Sequence, residues 1–469
     1  MTYRSLFILI WLASSLVFLA FSGWLQLNGF ISEEVMQLWS KAILQVDGPA
    51  SYKTSDAVYP PLPLFLTIML QYFPVWNALP TPIVLASGLA GLLATLWYFS
   101  LVIEADYSRL HAFLLTALMC SNPLFVLLLS SGPEMMLLCV GIWIYGRALV
   151  FLRLTGSISE MMKVAVGLLI ACLSSSYGIL FAFGALPFLA IAARPSMLVD
   201  APVGYLIVIS FPILCAIGSL FFVSSIFDTP LISQTFLFSA RPDAHLAGVA
   251  FLVLGLPTWC VAWVMRHHSA YVLPLLCSAF TLGAAMLLNL EYKLAAGHLV
   301  SAAPLLPLTV VALQFWPKVR GRLTATCAVQ TLCWATAASI LFLSDDDKVS
   351  TLRSVMIDQT TWHAGDANKV AGFLHDLDDV LLDAERNPEL VVTLKTVKGL
   401  VLAGAADYEL TLMGGTPRQT YIVVRKNLNS LFIRDRVTRR FPDPFSRSLP
   451  GYKIVFEAGE WSVLAKQIS

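Results

Sequence analysis

Two adjacent carboxylates, Glu33 and Glu34, follow Ser32 a few residues beyond the first long apolar run, residues 5–27. A third, Glu134, follows Gly132-Pro133 at the expected end of another apolar run. Ionisable groups at a membrane boundary are costly and tend to mark function. Carboxylates there can act as a general base, orient an acceptor hydroxyl or hold a divalent metal. A simpler structural explanation also exists. Ser32 is a good N-cap, which puts Glu33 and Glu34 in a first helical turn where the dipole favours acids. Glu134 likewise sits just after a proline suited to a helix start. That explanation accounts for the acids but not for the Tyr59-Pro60-Pro61-Leu62-Pro63 segment that follows the pair. Cations on the same side are few: Lys41, Lys53, Arg241 and Lys293, with His298 nearby. A phosphate-bearing ligand would need at least one of them, although each alone would also suit snorkelling to the interface.

These residues need a membrane to sit against, and composition supplies it. The chain has 469 residues, 58% hydrophobic and only 13% charged, against about 25% charged in a soluble protein. Apolar runs recur through residue 343, many near the roughly 20 residues that cross a bilayer. Spans are expected near 6–26, 80–103, 109–131, 135–153, 162–177, 178–193, 203–226, 245–265, 270–290, 298–316 and 323–343, eleven in all. The first, with Arg4 ahead of it, reads as an uncleaved signal anchor. Residues 62–76 are apolar but short and bracketed by prolines, so they read as a partly inserted or re-entrant helix. The segment after Ser32 carries Val35, Leu38, Trp39, Ala42 and Ile43 on one helical face. It is expected to lie on the membrane surface with that face toward lipid.

Charge placement orients the chain. With residues 62–76 not crossing, Arg4, Arg109, Arg147, Arg153, Lys163, Arg194, Arg266, Lys318, Arg320 and Arg322 share one side, against the four outer cations. By the positive-inside rule the N-terminus is cytoplasmic and the C-terminus outside. The expected domains are a transmembrane part, residues 1–343 with a first outer loop at 28–79, and an extracytoplasmic part, residues 344–469. The latter holds 16 of the 30 Lys+Arg and 17 of the 29 Asp+Glu. It reads as mixed α/β: a helix over Asp366–Asp379, strands at Leu390–Leu394, Glu409–Leu412, Thr420–Val424 and Tyr452–Phe456, and a turn at Ala458-Gly459-Glu460 leading into Trp461–Leu464.

Several chemistries find no motif. There is no phosphate loop, no HExxH and no GxSxG. No CxxC spacing joins the eight cysteines, and no basic stripe points to nucleic acid. Asp345-Asp346-Asp347 reads as a solvated run capping the last span, and His267-His268 as a loop pair.

The arrangement resembles the GT-C glycosyltransferases, polytopic membrane enzymes that use polyprenyl-phosphate sugars. Ser32-Glu33-Glu34 stands where that family places an acidic residue early in its first outer loop. Tyr59-Pro60-Pro61-Leu62 matches its Pro-Pro-Leu-like segment, and Glu134 its second outer acid. Asp407 through Val424, and Leu449 through Phe456 with Trp461-Ser462-Val463-Leu464, resemble the outer domain of bacterial members such as lipid A aminoarabinose transferases and protein O-mannosyltransferases. The resemblance implies transfer of a sugar, with inversion, from a polyprenyl-phosphate donor to an envelope glycan, lipid or protein at the outer face of a bacterial cytoplasmic membrane. Glu33 or Glu34 would be the base, with Glu134 beside it. Lys293, Arg241 or His298 would meet the donor phosphate, and Lys53, Tyr59, Pro60 and Pro61 would shape the substrate site. The carboxylates could serve with or without a divalent metal. A flippase or transporter, or a polymerase of lipid-linked saccharides, is the alternative.

Overall fold

The computed structural model describes residues 3–47, 61–73, 80–192, 194, 199, 202–205, 210–211, 214, 218, 244–292, 298–356, 364–414, 416–426, 435–441 and 449–467. Helices run α1 (Tyr3–Leu27), α2 (Glu33–Asp47), α3 (Pro61–Gln71), α4 (Thr81–Ile103), α5 (Arg109–Cys120), α6 (Pro123–Ser130), α7 (Pro133–Thr155), α8 (Ile158–Ser174) and α9 (Ser176–Ala192). They continue as α10 (Ala244–Leu254), α11 (Leu256–Val264), α12 (Ser269–Tyr292), α13 (His298–Ala302), α14 (Leu305–Gln314), α15 (Arg322–Leu343) and α16 (Asp347–Met356). Five of the described helices are long and apolar enough to cross a membrane. The count is seven if the bent pairs α5/α6 (61°) and α10/α11 (45°) are one span each. The expected span over 203–226 lies mostly outside the described residues.

The bends have local causes. Between α5 and α6, Asn122 accepts a hydrogen bond from the Leu124 amide at 2.9 Å, and Pro123 follows at N1. An N-cap with proline behind it starts a new helix rather than continuing the old one. α7 is the buried centre of the bundle. It meets α8 where a Cβ on Gly141 would lie 2.8 Å from the Gly167 carbonyl oxygen, and one on Gly167 would lie 2.7 Å from the Tyr145 amide. Such small residues allow the close backbone approach on which helix packing in lipid depends. α1 lies against α4, its Trp11 Nε1 donating to the Gly88 carbonyl at 2.9 Å. Its outward Leu9, Leu12, Leu16 and Val17 are exposed, as lipid contact requires.

The C-terminal region holds β1 (Val380–Leu381), β2 (Leu400–Val401), β3 (Tyr421–Arg425), β4 (Tyr452–Ala458) and β5 (Trp461–Lys466). They form one sheet in the order β2-β1-β3-β5-β4. β1 is parallel to β2 and β3, while β5 runs antiparallel to β3 and β4. Helices α17 (Ala364–Leu374), α18 (Pro388–Leu394), α19 (Ala406–Leu412) and α20 (Arg436–Arg440) flank it. Side chains alternate between faces. Val380, Val423 and Val463 join one apolar cluster, and Leu381, Ile422, Val424 and Leu464 the other.

Three expectations need correction. Leu390–Leu394 and Glu409–Leu412 are helical, within α18 and α19, not strands; Pro388 at the head of α18 starts a helix. The apolar face of α2 does not look toward lipid. Trp39, Ile43 and Leu44 are buried in the same cluster as the sheet, and Leu38 packs on Leu64 and Ile68 of α3. Finally, Asp346 caps the following helix rather than the preceding span, its Oδ1 accepting from the Lys348 amide at 3.0 Å. That cap sets Lys348 in the first turn of α16, whose Val349, Leu352 and Val355 enter the apolar cluster of the long helices.

Candidate functional site along helix α2

Ser32 caps α2 as expected: its Oγ accepts from the Val35 amide at 3.3 Å. Glu33 and Glu34, adjacent in sequence, then diverge by about 100° around the helix. Glu33 is exposed and accepts from Gln37 Nε2 at 2.8 Å. It lies toward the sheet region, where its charge helps raise the pKa of Glu389, after burial as the main cause. Glu34 turns the other way. Both of its oxygens lie 3.0 Å from Lys348 Nζ, which also donates to Ser131 Oγ at 2.9 Å. Burial opposes the Glu34 charge, but the Lys348 ammonium, its own backbone amide and the Ser32 hydroxyl outweigh it and hold the pKa below the ordinary value. The carboxylate is therefore ionised at neutral pH.

Ser131 and Glu134 flank Gly132-Pro133, the turn into α7. Gly132 has φ +97°, and a Cβ there would lie 2.9 Å from Val35 Cγ2. Glycine is needed for both reasons, and the turn thereby rests directly on α2. Glu134 stands near Lys41, seven residues and two turns beyond Glu34 on the same face of α2. Burial pushes the Lys41 pKa down, Glu385 and Glu134 pull it up, and Arg386 pushes it down again. Glu385 is itself raised, by burial first, with Lys41 opposing and Asp383 reinforcing. Arg436 Nη2 binds Glu385 Oε2 at 3.1 Å. One strip of alternating charge thus runs along α2, from Lys348–Glu34 through Ser131 and Glu134 to Lys41, Glu385 and Arg386.

Behind the strip lies a buried carboxylate pair. Asp383 and Asp435 are 1% and 3% exposed. Asp383 Oδ2 accepts from the Arg436 amide at 2.8 Å, while its Oδ1 has no hydrogen-bond partner among the described residues. Burial, then the Asp435 charge, pushes Asp383 up to about 7. Asp435 accepts from Asn387 Nδ2 at 2.6 Å and the Thr438 amide at 2.7 Å, yet burial still raises it.

Of the residues singled out from sequence, Glu134 and Lys41 come together, Glu34 lies two turns away along the same face of α2, and Glu33 faces away from them. Pro61 opens α3, which packs on α2. Lys53, Tyr59, Pro60, Arg241 and Lys293 lie outside the described residues, and His298 begins α13 with its side chain undescribed. Sequence reasoning missed Lys348, Ser131, Glu385 and Arg386. Among the described residues no three His, Cys, Asp or Glu side chains group as metal ligands. Glu34 and Glu134 each have an ammonium as near neighbour, a donor set poorly suited to a divalent cation.

No protein-family model matches the chain, and no curated protein matches it.

Proposed function

We propose that the chain is an inverting, GT-C-type glycosyltransferase that moves a sugar from a polyprenyl-phosphate donor to an envelope glycan, lipid or protein. In this reading it crosses a bacterial cytoplasmic membrane eleven times, with residues 344–469 outside. The observation that carries the proposal is the strip on α2. Two carboxylates from separate parts of the chain, Glu34 and Glu134, flank the same helix face, roofed by charged residues of the sheet region.

Glu34 is the general base. It is ionised at rest, half-exposed, and held in place by Lys348, which is itself oriented by Ser131. A carboxylate has about four acceptor positions, so an acceptor hydroxyl can bind alongside the ammonium. The hydroxyl oxygen attacks the anomeric carbon as its proton passes to Glu34. The carbon–oxygen bond to phosphate breaks, and the polyprenyl phosphate leaves with the electron pair. Because the leaving group is a phosphate, no dedicated acid is needed. Arg241, Lys293 or His298 remains the proposed counter-charge for it. Glu134 orients the acceptor and fixes Lys41.

The test is to incubate the purified protein in lipid with a panel of polyprenyl-phosphate sugars and follow sugar transfer, assigning the product anomer by NMR. Transfer with inversion supports the proposal. Absence of transfer from every donor, or a retained anomer, overturns it.

A further inference from the structure

A cleft of about 420 Å³ opens between α7 and α8, lined by Ile144, Arg147, Ser159, Met162, Lys163 and Val166 among others. That volume lies within the roughly 300–1,000 Å³ of ligand sites. The cleft is far from the strip on α2: Arg147 lies thirteen residues, about 20 Å, along α7 from Glu134. It is close to the opposite end of the helix pair, Arg147 being about 12 Å from the end of α7 at Thr155. The helix contact sets the two cations at one depth. A Cβ on Gly167 would lie 2.7 Å from the Tyr145 amide nitrogen, and one on Gly141 2.8 Å from that of Ala171. The helices therefore run antiparallel, with Arg147 and Lys163 within about one turn of each other along the axis.

Both charged groups in the lining are cations, and Ser159 adds an exposed hydroxyl. Among the described residues no carboxylate lines the cleft. The carboxylates that hold the two cations lie outside it. Arg147 Nε is 3.1 Å from each oxygen of Glu104, and Nη2 also bonds that carboxylate; none of these bonds uses Nη1. The guanidinium rests 4.7 Å from the Phe151 ring. Lys163 Nζ donates to Glu160 Oε1 at 2.6 Å, which takes one of the three donors of an ammonium. The Arg147 and Lys163 side chains stay 23% and 46% exposed. Each cation is thus fixed in place with donors to spare. The lip beside them is apolar and open: Met162 is 51% and Val166 44% exposed.

We propose that this cleft seats one phospholipid whose head group is anionic and carries no ammonium, of the phosphatidylglycerol class. Its phosphate lies against Arg147, Lys163 and the Ser159 hydroxyl, and an acyl chain follows Met162 and Val166. Guanidinium and ammonium donors are the groups that hold phosphate oxygens best. An ethanolamine or choline head group would bring a third cation beside two others, with no carboxylate in the lining to receive it. A free phosphate would leave the apolar lip facing its surroundings unused, whereas a lipid covers it. Basic pockets between membrane helices are a common means of head-group capture. The inference stands independently of the transfer reaction.

The test is native mass spectrometry of the protein released from nanodiscs of equimolar phosphatidylglycerol, phosphatidylethanolamine and phosphatidylcholine, with and without excess inorganic phosphate. The expected result is one retained phosphatidylglycerol, favoured at least fivefold over each competitor and not displaced by phosphate. Lys163→Gln, at an exposed position, should cut that preference at least threefold. Met162→Trp, whose new side chain starts from the open lip, should lower retention of any lipid at the site at least fivefold. Arg147 is left in place, because removing it would strand Glu104. Equal retention of the three lipids, a preference for phosphatidylethanolamine or phosphatidylcholine, displacement by inorganic phosphate, or a result unchanged in either variant would overturn the proposal.

Discussion

Asp383 makes stability pH-dependent in a direction opposite to ordinary acid denaturation. Its carboxyl has pKa about 7 in the folded protein against a reference of 3.8, because burial and the neighbouring Asp435 charge disfavour ionisation. A raised acid pKa means the folded chain holds a proton that the unfolded chain has released. The stabilisation is complete below the unfolded value and is lost as pH rises toward the folded one. From pH 5 to 7 that is two units, or about 3 kcal/mol at roughly 1.4 kcal/mol per unit. Glu385, also raised by burial, acts in the same direction. Lys41, lowered to about 8, opposes them only above that pH. The perturbation is Asp383→Asn, nearly isosteric and able to keep a carbonyl oxygen for the Arg436 amide. Its margin over the parent should grow by about 2–3 kcal/mol between pH 5 and pH 8, flattening the profile there, and should vanish only below about pH 4. The assay is thermal unfolding followed by tryptophan fluorescence at pH 5, 6, 7 and 8, with an expected parental loss of about 5 °C or more. A parental unfolding temperature that stays flat or rises over this range would refute the reasoning. So would a variant less stable than the parent at pH 8.

Other outcomes follow from the same geometry. Lys348→Met removes the ammonium that holds Glu34 ionised. Glu34 is about half-exposed, so the contribution of the pair is modest, about 1 kcal/mol, and the acid limb of the rate profile should move up by roughly 0.5–1 pH unit; an unmoved limb would deny Lys348 that role. Gly132→Ala places a Cβ at a left-handed turn and 2.9 Å from Val35. It should cost about 1–2 kcal/mol and lower transfer by displacing Ser131 and Glu134, as thermal unfolding and sugar-release assays would show. Glu385→Gln should lower the pKa of Lys41 further by removing its principal attraction, measurable as faster acylation of Lys41 at pH 7, read by peptide mass spectrometry.

The long membrane helices were legible because apolar length reports them directly: α1, α4, α7, α12 and α15 coincide with long apolar runs. Glu34 and Glu134 were legible for the same reason, as acids at the edges of such runs. Their surroundings were not. Lys348 reaches Glu34 across 314 residues of sequence, and the Asp345-Asp346-Asp347 run ahead of it reads only as a solvated cap. Amphipathicity established that α2 has an apolar face but not what covers it; the sheet region does, through Trp39, Ile43 and Leu44. The two-residue strands β1 and β2 are too short for alternation to register. Runs such as Val391-Val392-Thr393 carry β-branched residues in a window where strand and helix cannot be separated by period. Glu385 and Arg386 follow one of those strands, so nothing local announced them.

In the proposed mechanism Glu34, and not its neighbour Glu33, takes the proton from the acceptor. The direct measurement compares sugar release from a polyprenyl-phosphate donor by the parent, Glu33→Gln and Glu34→Gln in the same lipid. The account predicts that Glu34→Gln loses at least 100-fold in turnover, the scale of a general base, while Glu33→Gln stays within a few-fold of the parent. Turnover that survives in Glu34→Gln, or falls equally in both variants, would contradict it.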